Sequence, residues 1–64
     1  MEIIKKLGES FDGLRVVVLD TPCYPHRYYG GPIAHHSREP LKNAPCNFHK
    51  TVADAETGAK QFLA

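Results

Sequence analysis

Tryptophan is absent from this chain, methionine occurs once, and only two of the 64 residues are cysteine. No apolar run exceeds the four residues Val16 to Leu19. A membrane-spanning helix needs about 20 consecutive apolar residues, so no such helix is expected. Charge of one sign is also lacking: eight Lys and Arg against seven Asp and Glu leave a net charge of +1. With 42% hydrophobic residues and so little net charge, the chain is not of the type that stays disordered. The segment Met1 to Leu7 is too short and too interrupted by charge to read as a signal peptide. A reducing, cytoplasmic compartment is therefore the expectation, and there two cysteines read as thiols or metal ligands rather than as a disulfide.

What is present fits one domain over residues 1–64. A domain this small buries only about 60% of the surface its unfolded chain exposes, and such chains often gain stability from a metal, a disulfide or a second subunit. The small net charge conceals a gradient. Residues 1–21 carry Lys5, Lys6 and Arg15 against Glu2, Glu9, Asp12 and Asp20, a net of −1. Residues 22–50 carry Arg27, Arg38, Lys42 and Lys50 against Glu39, a net of +3, and hold every tyrosine and histidine. Residues 51–64 return to −1, with Lys60 against Asp54 and Glu56. Positive charge and stacking faces together make the middle segment the expected contact surface.

The run Leu14 to Leu19 contains three consecutive valines, whose branched Cβ favours a strand. Its lack of alternation predicts a central strand covered on at least one face. Asp20-Thr21-Pro22 ends it, since proline offers no N–H to a ladder. Three prolines and Gly30-Gly31 predict a loop or wide turn over residues 22–32. Ile33 to Arg38 reads as a short second strand and Cys46 to Lys50 as a third. Thr51, with Asp54 three residues on, predicts a capped helix start. Val52, Ala55, Ala59, Phe62 and Leu63 then recur at helical spacing over a helix from about Val52 to Leu63 and should face the sheet. Gly58 weakens its middle by about 1 kcal/mol relative to alanine. The expected fold class is α+β: a small antiparallel sheet of about three strands covered by one C-terminal helix.

One motif occurs twice. Residues 21–27 read Thr-Pro-Cys-Tyr-Pro-His-Arg and residues 44–50 read Ala-Pro-Cys-Asn-Phe-His-Lys. Two thiolates and two imidazoles, from Cys23, His26, Cys46 and His49, would make a tetrahedral zinc site, and the ion would supply stability that a small core lacks. Against this stands strand geometry: in a regular strand Cys46 and His49 point to opposite faces, Cys46, Phe48 and Val52 turn to the core, and His49 turns away. The cofactor expected is thus either none or one zinc ion. His35 and His36 read as polar residues on opposite sides of an exposed strand.

The series Cys-x2-His, His35-His36, Cys-x2-His-Lys and a following helix resembles a compressed HNH endonuclease finger over about residues 23–60. The resemblance implies a general base at His36, oriented by Asn43 or Asn47. The spacing between elements is shorter than in that family, and its paired cysteines are here Cys and His.

Other chemistry is sparse. Gly30-Gly31 lacks the lysine and helix start of a phosphate loop. No Ser/His/Asp arrangement stands out, and Cys23 near His26 has little chain around it to wall a pocket. The chain is therefore expected to bind rather than catalyse. Tyr24, Arg27, Tyr28, Tyr29, Arg38 and Lys42 are the candidate partner-binding residues, because aromatics and arginine dominate interface energetics. The alternative for the tyrosines is that one ring fills the core while the others cover a loop. The expected role is that of a regulator or inhibitor docking on a larger macromolecule, a type that phages and other mobile elements often encode. A protein is the favoured partner and nucleic acid the alternative; a membrane is not expected, and a homo-oligomer is compatible with the sequence. A zinc-clamped nucleic-acid-binding module is the second reading and the nuclease the third.

Overall fold

The computed structural model describes residues 1–42 and 47–64. Four strands are followed by one helix: β1 (Glu2–Glu9), β2 (Arg15–Asp20), β3 (Tyr28–Ile33), β4 (Phe48–His49) and α1 (Val52–Lys60). The strands form one sheet in the order β1-β2-β3-β4, antiparallel at every pairing. This is the α+β arrangement expected, with one strand more.

Strand β2 lies between β1 and β3, and Val16, Val17, Val18 and Leu19 are all fully buried. Four consecutive buried residues require cover on both faces, since successive side chains point to opposite sides. Burying each such side chain stabilises the fold by roughly 1.5–3 kcal/mol. Register places Ile3, Leu19, Tyr29 and Phe48 in one row across the sheet. On this face Val17, Leu19, Tyr29 and Ile33 form the core, with Ile3 and Phe48 packed against it. The Tyr29 hydroxyl stays satisfied by donating to the Pro32 carbonyl at 2.7 Å.

The opposite face carries Val18 and Gly30, which pair in register, and receives α1. The fit depends on Gly30, because a Cβ there would lie 1.9 Å from the Ala55 carbonyl oxygen. Ala55 and Ala59 are the buried residues of the helix, while Val52, Phe62 and Leu63 are half-buried. Thr51 is extended, and its hydroxyl accepts from the Asp54 amide at 3.1 Å, as the capping motif predicts. Lys5 of β1 reaches Glu56 of α1 at 2.6 Å. Beyond the helix, the Ala64 amide donates to the Glu9 carbonyl, tying the chain end to β1.

Three expectations need correction. The strand expected over Ile33 to Arg38 is not formed: residues 34–37 are a turn, closed by Ser37 N–H donating to the Ala34 carbonyl. The strand lies earlier, over Tyr28 to Ile33, where Gly30-Gly31 was expected to turn; the glycine is needed there because the helix backbone comes so close. Strand β1 went unread because its register shifts twice, between Ile3 and Lys5 and between Lys6 and Gly8. Each bulge reverses the inside–outside alternation, so Ile3, Ile4 and Leu7 show no period of two. The helix ends at Lys60 rather than Leu63, the last residues making shorter turns.

Candidate functional site

Residues 21–27 form a tight turn at one end of the sheet. The Thr21 amide and hydroxyl both donate to the Arg27 carbonyl, and the Tyr24 amide donates to the Thr21 carbonyl at 3.0 Å. This turn lifts Tyr24 over Phe48, with ring centroids 4.5 Å apart and planes at 18°. Phe48 in turn meets buried Tyr29 edge to face at 5.3 Å. Three rings thus rise from core to surface, and Tyr24, at the top, is 40% exposed. Tyr24, Pro25, His26 and Phe48 line an apolar notch of about 350 Å³.

The other face of the same sheet end is different. Asp20, Tyr28 and His49 share a row there. Arg27 makes two bonds to the Asp20 carboxylate, at 2.7 and 3.0 Å, and its guanidinium carbon lies 5.8 Å from the centre of the Tyr28 ring. The hydrogen bond from Arg27, and then its charge, hold the Asp20 carboxyl below its usual range, and the same contact raises Arg27. A bond from Lys5 does the like for Glu56.

The six candidate partner-binding residues therefore do not form one face. Tyr24 stands in the notch. Arg27 and half-buried Tyr28 occupy the opposite side. Arg38 and Lys42 are exposed on the segment that follows β3. Tyr29 is fully buried and belongs to the core, which is the structural alternative foreseen for one tyrosine.

Of the four candidate metal ligands, Cys23 and His26 are exposed on the 21–27 turn. His49 lies in β4, on the helix-covered face, where a Cβ at Gly58 would come 2.8 Å from its Nε2. Phe48 faces the core and His49 away from it, as alternation in a strand requires. Cys46 lies outside the described residues, as does Asn43. Among the described residues, no three His, Cys, Asp or Glu side chains group so as to hold an ion.

Sequence reasoning missed a second region at the far end of β2. Arg15, His35, His36, Ser37 and Arg38 line a cleft of about 500 Å³. Arg15 and Arg38 also line an adjoining cleft of about 440 Å³ with Glu2, Ile3, Lys5 and Lys6. An Arg terminal to a valine strand gives no sign by itself that it will meet a turn 20 residues on. Phe11, at the tip of the β1–β2 turn, is 88% exposed. No helix among the described residues is long and apolar enough to cross a membrane. Comparison of this chain with protein-family models, with characterised proteins and with solved structures finds no match.

Proposed function

We propose that this is a non-catalytic docking protein of the regulator or inhibitor type, acting in the cytoplasm by seating the notch of Tyr24, Pro25, His26 and Phe48 on a larger protein. The observation that carries this reading is the aromatic ladder beneath Tyr24. A tyrosine already stacked on Phe48 loses little side-chain freedom when a partner covers it, so more of its contact energy survives as affinity. Tyrosines in apolar, dehydratable settings are the residues that dominate protein interfaces. The middle segment, net +3, favours a partner with an acidic surface.

The test is affinity capture with two paired variants, followed by purified binding measurements on whatever the wild type retains. The double variant Tyr24→Ala, His26→Ala should lose that protein, with a drop of a few kcal/mol in binding and an unchanged circular dichroism spectrum. Arg27→Ala with Tyr28→Ala, on the opposite face, should retain it. The reverse pattern would sink the reading and move the interface across the sheet. Nuclease treatment of the lysate distinguishes a protein partner from one held through nucleic acid.

A further inference from the structure

The two clefts that share Arg15 and Arg38 differ from the notch in chemistry: the first lies at the Arg15 end of β2, and the second runs along β1 as far as Glu2 and Ile3, opposite Asp20 and Leu19. Arg15 and Asp20 lie five residue steps apart along β2, a span of about 17 Å. Arg15 is fixed in place: one terminal nitrogen donates to the Ser37 carbonyl at 2.7 Å and to the Ala34 carbonyl at 3.2 Å. His35 Nε2 donates to the Gly13 carbonyl at 2.6 Å, which pins the same turn to the β1–β2 connection. Between these two anchors His36 has φ +69°, a left-handed conformation in a turn position that glycine usually fills. A non-glycine residue held there is the kind of local strain that accompanies binding sites.

The charge around this pinned turn is unbalanced. Among the described residues, carboxylates pair with Lys5, Arg27 and Lys60. Lys6, Arg15 and Arg38 have no such partner, although Glu9 stands opposite Arg15 in the register and Glu2 lies on the rim of the adjoining cleft. The Arg15 Nε is buried without any acceptor. With Nε enclosed and one terminal nitrogen engaged by the two carbonyls, the other terminal nitrogen of Arg15 is the one left for an anion in the cleft.

We propose that the two adjoining clefts form a binding site for a phosphoryl oxyanion, held by Arg15 and Arg38, with Lys6 and the His36 turn closing around it. Three unpaired cations suit a doubly or triply charged oxyanion better than a single carboxylate. The planar guanidinium fork of exposed Arg38 can match phosphate oxygens two at a time, and Arg15, fixed by its two carbonyls, adds a single donor beside it. The phosphoryl group is either free or carried on a nucleic-acid backbone, and the same chemistry recognises both. This site is independent of the Tyr24 notch, so either proposal can fail alone.

The experiment is an NMR titration of the ¹⁵N-labelled full chain with pyrophosphate at constant ionic strength, following the arginine Nε–H signals. Those of Arg15 and Arg38 should shift saturably while that of Arg27 stays still. Arg38→Gln and Arg15→Lys should each weaken binding about tenfold or more, and Lys42→Gln should leave it unchanged. Arg38 is exposed and bonds to nothing that holds the fold, so its variant keeps the test sharp even if Arg15→Lys perturbs the turn. A second arm uses a ten-nucleotide oligothymidylate. Tighter binding than pyrophosphate, with steep salt dependence, supports the site and names the backbone as the source; weaker binding supports it with a free phosphoryl ligand. Arg15 and Arg38 signals that respond to neither probe, or equally to polyglutamate, would overturn the proposal, as would an Arg38→Gln variant that binds like wild type.

Discussion

The two faces of the sheet are built by opposite means. The helix face is made from small residues at close range: Gly30 against the Ala55 carbonyl, Gly58 against the His49 ring, and Ala55 and Ala59 buried. The other face is made from rings and long side chains: Tyr29 and Phe48 in the core, Tyr24 above them, and Arg15 holding the turn after β3. The first face is specified by the absence of atoms, and the second by directional contacts that continue out to the surface. Both candidate sites draw on the second face. A helix packed backbone to backbone leaves no groove, whereas a layer of turns laid over rings leaves clefts between its supports.

The largest expected effect lies on the helix face. Gly30→Ala places a methyl group 1.9 Å from a backbone oxygen, and neither partner is the flexible end of a side chain. Overpacking of this kind costs about 3 kcal/mol or more. In a domain whose whole stability is small, that should leave the variant largely unfolded by circular dichroism. A variant that melts like wild type would mean the helix does not sit on this face. Next in size is Tyr29→Phe, on the ring face. It keeps the ring but strands the buried Pro32 carbonyl, and should cost about 1–2 kcal/mol in urea denaturation; no change would remove Tyr29 from the directional contacts credited to that face.

These two positions also show what could be read without coordinates. The valine strand and the Thr51 cap were legible because each is local: a run of branched residues in one case, a hydroxyl and an amide three residues apart in the other. Gly30-Gly31 was misread because its reason is distant. The same pair that signals a turn also permits a helix 25 residues later to touch the strand. Strand β1 was hidden by its two bulges. Of the candidate sites, Tyr24 and Arg38 were visible as residue types, but not that Phe48 would raise one ring to the surface. Nor did the sequence show that Arg15 and Lys6, from outside the basic segment, would join Arg38.

Thr51→Ala should cost about 1 kcal/mol by leaving the Asp54 amide uncapped, and a denaturation midpoint equal to that of wild type would contradict the cap. The smallest effect concerns the ion pair at the sheet end. Asp20 is held below its usual range by Arg27, so the pair contributes stability above about pH 4, the ordinary aspartate range. That contribution is lost as pH falls through the lower, folded value. Asp20→Asn should therefore lower stability slightly at neutral pH and flatten its fall in acid. The exposed setting keeps this change small. A stability difference that persisted undiminished at pH 2 would assign it to packing rather than charge.

The claim on which the functional reading rests is that the ring face, at its Tyr24 end, is the surface a partner covers. Amide hydrogen exchange of the full chain, alone and with the captured protein, measures this directly. Protection should concentrate in the 21–27 turn and at Phe48, with the exposed side of α1 around Asp54 and Thr57 unchanged. Protection centred on α1, with the turn exchanging as freely as in the isolated protein, would contradict the account.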